Sequence, residues 1–154
     1  DPRLAPYRQL KQSNLTRWSG QFIAEGKLVV ERLLASRFRT ESLLLSERRS
    51  DLQHQFALSD DTPVLVVPEE LATALRFQND PDYAGPHAMY ANLLCLSLHL
   101  MASRGIGSEP LGDLPQPLLK RLGISREKAE EAIDKVLQAE AALREMTVQF
   151  NHPH

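Results

Sequence analysis

Apolar residues in the first half of the chain fall in short continuous runs. Phe22-Ile23-Ala24, Ser42-Leu43-Leu44-Leu45-Ser46 and Val64-Leu65-Val66-Val67 have strand length and little alternation, the pattern of strands covered on both faces. Between them the spacing turns helical. Lys27 to Ala35 predicts a helix with Leu28, Val29, Leu33 and Leu34 on or near one apolar face, and Ser50 to Ala57 predicts a second, shorter one. Leu4, Tyr7 and Leu10, spaced by three, predict a helical stretch at the start. Pro68-Glu69-Glu70 predicts a further helix, with proline in its first turn and two acids set against the positive end of the helix dipole. Strands alternating with helices imply crossover connections, so residues 1–75 are expected to form an α/β unit with a mostly parallel sheet.

Beyond the polar, Pro- and Gly-punctuated segment 76–86 (RFQNDPDYAGP), which reads as a linker or boundary, the pattern becomes wholly helical. His87 to Met101 carries Met89, Leu93, Leu94, Leu96, Leu98, Leu100 and Met101 on most sides, so this helix is expected to be buried. A Gly- and Pro-rich loop runs from Gly105 to Pro117. Leu118–Leu122 predicts a short helix stopped by Gly123, and Ser125 is a good N-cap for a last helix from Arg126 to about Val148. Its Ala129, Ile133, Val136, Ala139 or Glu140, and Leu143 follow the three-or-four spacing. Residues 87–150 are thus read as an all-helical segment.

Charge sharpens this division. Residues 1–50 hold ten Lys or Arg against five Asp or Glu, whereas residues 51–154 hold eight against fifteen. A basic first third can meet phosphates, and the acidic remainder repels them. One cysteine excludes a disulfide within the chain and a Cys-based zinc site, which favours a reducing, cytoplasmic setting. No run approaches the ~20 apolar residues of a membrane span, and the N-terminus lacks the basic-then-apolar pattern of an export signal.

The run DPRLAPYRQLKQSNLTRWSGQFIAEGKLVVERLLASRFRTESLLLSERR, followed by TPVLVVPEEL, resembles the substrate-binding domain of SpoU/TrmH-family RNA 2'-O-ribose methyltransferases over about residues 1–72. Its most specific phrase is Phe22-Ile23-Ala24-Glu25-Gly26 with Val29-Val30 and Leu33-Leu34. The resemblance implies an L30e-like fold that holds tRNA or ribosomal RNA for a separate catalytic domain. The residues agree with that role. Arg3, Arg8, Lys11 and Arg17 are placed to neutralise phosphates, and Tyr7 or Trp18 to stack on an unpaired base. Taken singly, each is as well explained by a solvated cation or a packed aromatic ring. Glu25-Gly26 is expected to serve a strand-to-helix turn, where glycine relieves the backbone.

The knotted S-adenosylmethionine domain of that family, with its Asn-rich, Gly-rich and Ser-Leu-Asn segments, has no counterpart after residue 75. The chain is therefore not expected to methylate RNA by itself, and no cofactor is expected. Residues ~80–149 instead resemble the C-terminal part of HDOD domains of bacterial signalling proteins, through DPDYAGPH (80–87), ANLLCLSLHL (91–100) and LLKRLGISREKAEEAIDKVLQ (118–138). That resemblance implies a signalling or scaffold module with a protein partner, or a homodimer built on the Met89–Met101 helix. Only part of each parent is represented, so an unusual fusion is a third reading.

Other chemistry is sparse. His87 and His99 stand twelve apart, not at the spacing that sets two metal ligands on one helix face, and His152 and His154 lie near the end. No metal site is expected. Cys95 sits in the most apolar helix, where burial dulls a thiol. Ser97, His99 and Asp113 have the residue types of a hydrolytic triad without its spacing or strand context.

Overall fold

The computed structural model describes residues 1–9, 20–107 and 111–150. Two 3-10 turns, Pro2–Leu4 and Pro6–Gln9, form where the opening helical stretch is expected. After them come helix α1 (Lys27–Leu34), strand β1 (Leu43–Ser46), a 3-10 turn (Glu47–Arg49), helix α2 (Leu52–Gln55), strand β2 (Val64–Val67) and helix α3 (Glu69–Phe77). Three more helices complete the order: α4 (Ala88–Ser103), α5 (Gln116–Leu122) and α6 (Arg126–Phe150).

The two strands pair in parallel, with Leu43 opposite Val64 and Ser46 opposite Val67. Parallel neighbours need a crossover, and the chain supplies it through the turn at Glu47–Arg49 and α2. Leu43 and Leu45 point to one face, where they join Leu52 and Phe56 in a core flanked by Val30, Leu34, Leu58 and Val64. Leu65 and Val67, buried on the opposite face by the alternation of a strand, lie on the side away from that core, and α3 packs against β1. The fold is therefore mixed α/β up to α3, with a helical remainder.

The first expected strand does not form. Phe22, Ile23 and Ala24 run as irregular chain, so the sheet has two strands among the described residues rather than three. Three residues without a hydrogen-bonded neighbour cannot satisfy their backbone groups as a strand, and here they feed directly into the cap of α1. Gly26 holds that cap at φ 92°, a backbone conformation that L side chains rarely adopt, with no strand before it.

Helices α3 and α4 pack along one another. The segment between them is a tight turn. Phe77 and Tyr83 stack with centroids 3.8 Å apart, and the Tyr83 hydroxyl donates to the Pro86 carbonyl at 2.9 Å. Gly85 passes so close to the Tyr83 ring that a Cβ there would lie 2.6 Å from the hydroxyl oxygen. From α5, Arg121 donates to the carbonyls of Pro81 and Tyr83, which fastens this turn to the helical part.

The second core lies between α4, α5 and the start of α6. Cys95, Leu96, Leu100, Leu114, Leu118, Leu119 and Ala129 fill it, with Leu122, Ile124 and Ile133 at its rim. Gly123 ends α5 at φ 64°, and the Ile124 N–H reaches back to the Leu119 carbonyl, as in a glycine-stopped helix. Ser125 caps α6 as its sequence position predicts, its Oγ accepting from the Lys128 N–H at 3.2 Å. Helix α4 departs from expectation on one side. Ala91, Asn92, Cys95, Leu96 and Leu100 are buried, but Met89, Tyr90 and Leu93 face solvent, because α3, α5 and α6 cover only part of its circumference.

Candidate nucleic-acid interface

Helix α1 ends with a turn made by one hydroxyl. Ser36 Oγ donates to the Leu33 carbonyl at 2.6 Å and accepts from the Phe38 N–H at 3.2 Å, so the chain leaves the helix sharply and carries Arg37, Phe38 and Arg39 outward. Phe38 is 54% exposed. The Arg37 guanidinium carbon sits 5.9 Å from its ring centroid, and Phe22, itself 47% exposed, meets it edge-on at 5.3 Å and 82°. Arg39 is paired loosely with Glu41, 3.6 Å apart and open to water. An exposed aromatic edge pair with the Arg37 guanidinium beside it offers a base a stacking face and a phosphate a charge. Sequence reasoning missed this group. The available signal was the triplet Arg37-Phe38-Arg39 between a helix end and a strand.

The expected contacts distribute as follows. Arg3 forms an ion pair with Asp1, and its side chain is largely exposed. Arg8 is exposed. Tyr7 is half-buried, with its hydroxyl 2.7 Å from Ser42 Oγ. Burial pushes its phenol above the ordinary value, and the Ser42 hydrogen bond partly offsets this. Lys11, Arg17 and Trp18 lie outside the described residues. Glu25 pairs with Arg76 of α3 at 2.6 Å, which ties the approach to α1 onto the helical layer, and Gly26 supplies the turn.

Tyr7 ties the N-terminal turns to the entrance of β1. Its hydroxyl partner Ser42 stands four positions after Phe38, which limits the separation of those two backbones to at most about 14 Å.

Elsewhere among the described residues three features bear on chemistry. No group of three metal-ligating side chains occurs among the described residues. Cys95 Sγ lies 3.9 Å from His99 Nδ1, but the imidazole nitrogen is 2.9 Å from the Cys95 carbonyl, and burial pushes the thiol up to about 11. A thiol so placed stays protonated and is a poor nucleophile. An open depression of about 710 Å³ along α6 is lined by Arg126, Glu127, Glu130, Glu131, Asp134, Lys135 and Gln138. Its four carboxylates against two cations make it a poor seat for phosphate. No helix among the described residues is long and apolar enough to cross a membrane.

Compared with family models, curated proteins and solved structures, the chain matches none.

Proposed function

We propose that this chain is a non-catalytic RNA-binding module, a substrate-recognition unit for tRNA or ribosomal RNA of the kind that its N-terminal resemblance implies, built on an L30e-like arrangement. The observation that carries this reading is the outward Phe38 ring, set edge-on against Phe22 and flanked by Arg37 and Arg39. A large aromatic side chain costs free energy when left in water, and the Ser36 turn holds this one there. In the interface, an unpaired base stacks on Phe38, Arg37 and Arg39 meet the flanking phosphates, and Arg3, Arg8, Lys11 and Arg17 extend the basic track. Tyr7 acts mainly as the anchor of that track, since its hydroxyl is engaged by Ser42.

The test is fluorescence anisotropy of a labelled single-stranded RNA against the full chain over a range of salt. Stacking of one base on an aromatic ring is worth about 1–3 kcal/mol, so Phe38→Ala should weaken binding roughly 5- to 150-fold. Equal affinity for the parent and the Phe38→Ala chain would remove the reading.

A second reading, a helical scaffold module of the HDOD type, draws on Met89, Tyr90 and Leu93, which leave an apolar strip of α4 in solvent. It requires a protein partner on that strip and no dependence on Phe38.

A further inference from the structure

Helix α6 has two apolar directions, and the core formed by the described residues uses one of them. Successive residues turn by about 100°, so Ala129, Ile133 and Leu137 mark the direction of the core, and they are buried or half-buried. Val136, Ala139, Leu143 and Met146 mark a second direction, rotated by roughly 100° from the first. These four are exposed, Val136 by 61%, Leu143 by 63% and Met146 by 53%. Their spacing of three, four and three residues is that of alternating core positions in a two-stranded coiled coil.

We infer that α6 forms a parallel two-stranded coiled coil with α6 of a second copy of this chain, along the stripe Val136, Ala139, Leu143 and Met146. Charge selects this occupant and this direction. With Val136 and Leu143 at the first core position of the heptad, Lys135 and Glu140 fall on its two flanks, five residues apart. In a parallel pair each Lys135 faces Glu140 of the other copy, twice by symmetry. In an antiparallel pair centred on the stripe, Glu140 faces Glu140, which repels. Within one copy Lys135 pairs with Glu131 and Glu140 with Arg144, both in the open. Such exposed pairs contribute little, so exchanging them across the dimer costs little.

The stripe is short, about 15 Å from Val136 to Met146, and one of its four core positions is alanine. A free peptide of this length would not associate, because forming the helix is unfavourable. Here the docked first turns of α6 and the Ser125 cap already hold the helix, so a weak, concentration-dependent dimer results. This reading is independent of RNA binding.

Sedimentation equilibrium on the full chain tests it, with two cysteine variants. A dimer is expected at high concentration, and Val136→Glu should raise its midpoint concentration by about tenfold or more. Lys135→Glu should weaken it, and Lys135→Glu with Glu140→Lys should restore it. Oxidised by diamide, Ala139→Cys and Met146→Cys should each cross-link to their own kind. A chain that stays monomeric, a dimer indifferent to Val136→Glu, or a Lys135→Glu variant not rescued by Glu140→Lys would overturn the proposal. So would cysteine variants that form no self-linked pairs.

Discussion

The side-chain amide of Gln78, fully buried just past the end of α3, donates to the backbone carbonyl of Tyr7 at 3.0 Å and to that of Leu75 at 2.8 Å. One amide group thus links the N-terminal turns to the helix that covers the sheet, across 71 positions of sequence. The Tyr7 hydroxyl makes a second link, to Ser42 at the entrance of β1. These two bonds hold the N-terminal turns, which carry Arg3 and Arg8, to the end of α3 and the entrance of β1.

Gln78→Ala should therefore do more than open a cavity. It leaves a part-buried carbonyl without its donor and removes a fully buried side chain, which together cost about 2–3 kcal/mol. Urea unfolding should show a lower midpoint at an unchanged slope. An unchanged midpoint would mean that the amide contributes nothing.

Gly26→Ala tests the turn into α1. A Cβ at Gly26 meets nothing within 4 Å, so there is no clash, and the whole effect must come from φ 92°. A loss of about 1–2 kcal/mol in thermal or urea unfolding is expected. The same substitution elsewhere in open space at negative φ would stabilise slightly. A neutral result at Gly26 would contradict the strained-turn account.

Cys95 carries a pH dependence of fixed sign. Burial raises the thiol from its ordinary 9.0 to about 11, and the Asp80 carboxylate adds to the rise. Below about pH 9 both states keep the proton and the contribution is whole. As pH rises from 9 toward 11 the unfolded chain ionises first, and stability falls by up to about 2–3 kcal/mol. Cys95→Ala should flatten this fall. A disulfide reagent at pH 8 should leave native Cys95 nearly untouched and modify it on unfolding, and rapid modification of the native chain would contradict its burial.

Asp134 works in the opposite sense. Its carboxyl accepts from Arg104 at the end of α4, and that bond holds it below the usual carboxylate range. Arg104 also donates to the Leu100 and Glu130 carbonyls, so it pins α6 to α4. The contribution is present at neutral pH and is lost as pH falls through the lowered value. Asp134→Asn should remove that acid dependence and speed proteolysis within α6. Identical acid unfolding of the two chains would count against it.

The sequence was most readable where local chemistry fixes the backbone. Val64–Val67 is an apolar, valine-rich run closed by Pro63 and Pro68, and the observed strand has those bounds. Ser125 and Gly123 mark the start of α6 and the end of α5 for the same reason. Phe22–Ala24 has strand composition, but a strand also needs a neighbour, and no local signal reports that. In α4, apolar residues on most sides predict a buried helix, whereas exposure depends on how many helices surround it. The Phe38 platform was hidden differently. Its exposure follows from one turn at Ser36 and from Phe22, sixteen positions earlier, and periodicity carries neither.

RNA binding as a function of salt is the measurement closest to the central claim. The full chain and its Arg37→Ala/Arg39→Ala variant should be titrated with the same single-stranded RNA from about 50 to 200 mM salt. Each phosphate contact adds about 0.7 to the slope of log affinity against log salt, so the parent should show a steep fall and the variant a slope shallower by roughly 1.4. A parent whose affinity ignores salt, or a variant with the parent's slope, would contradict the proposed interface.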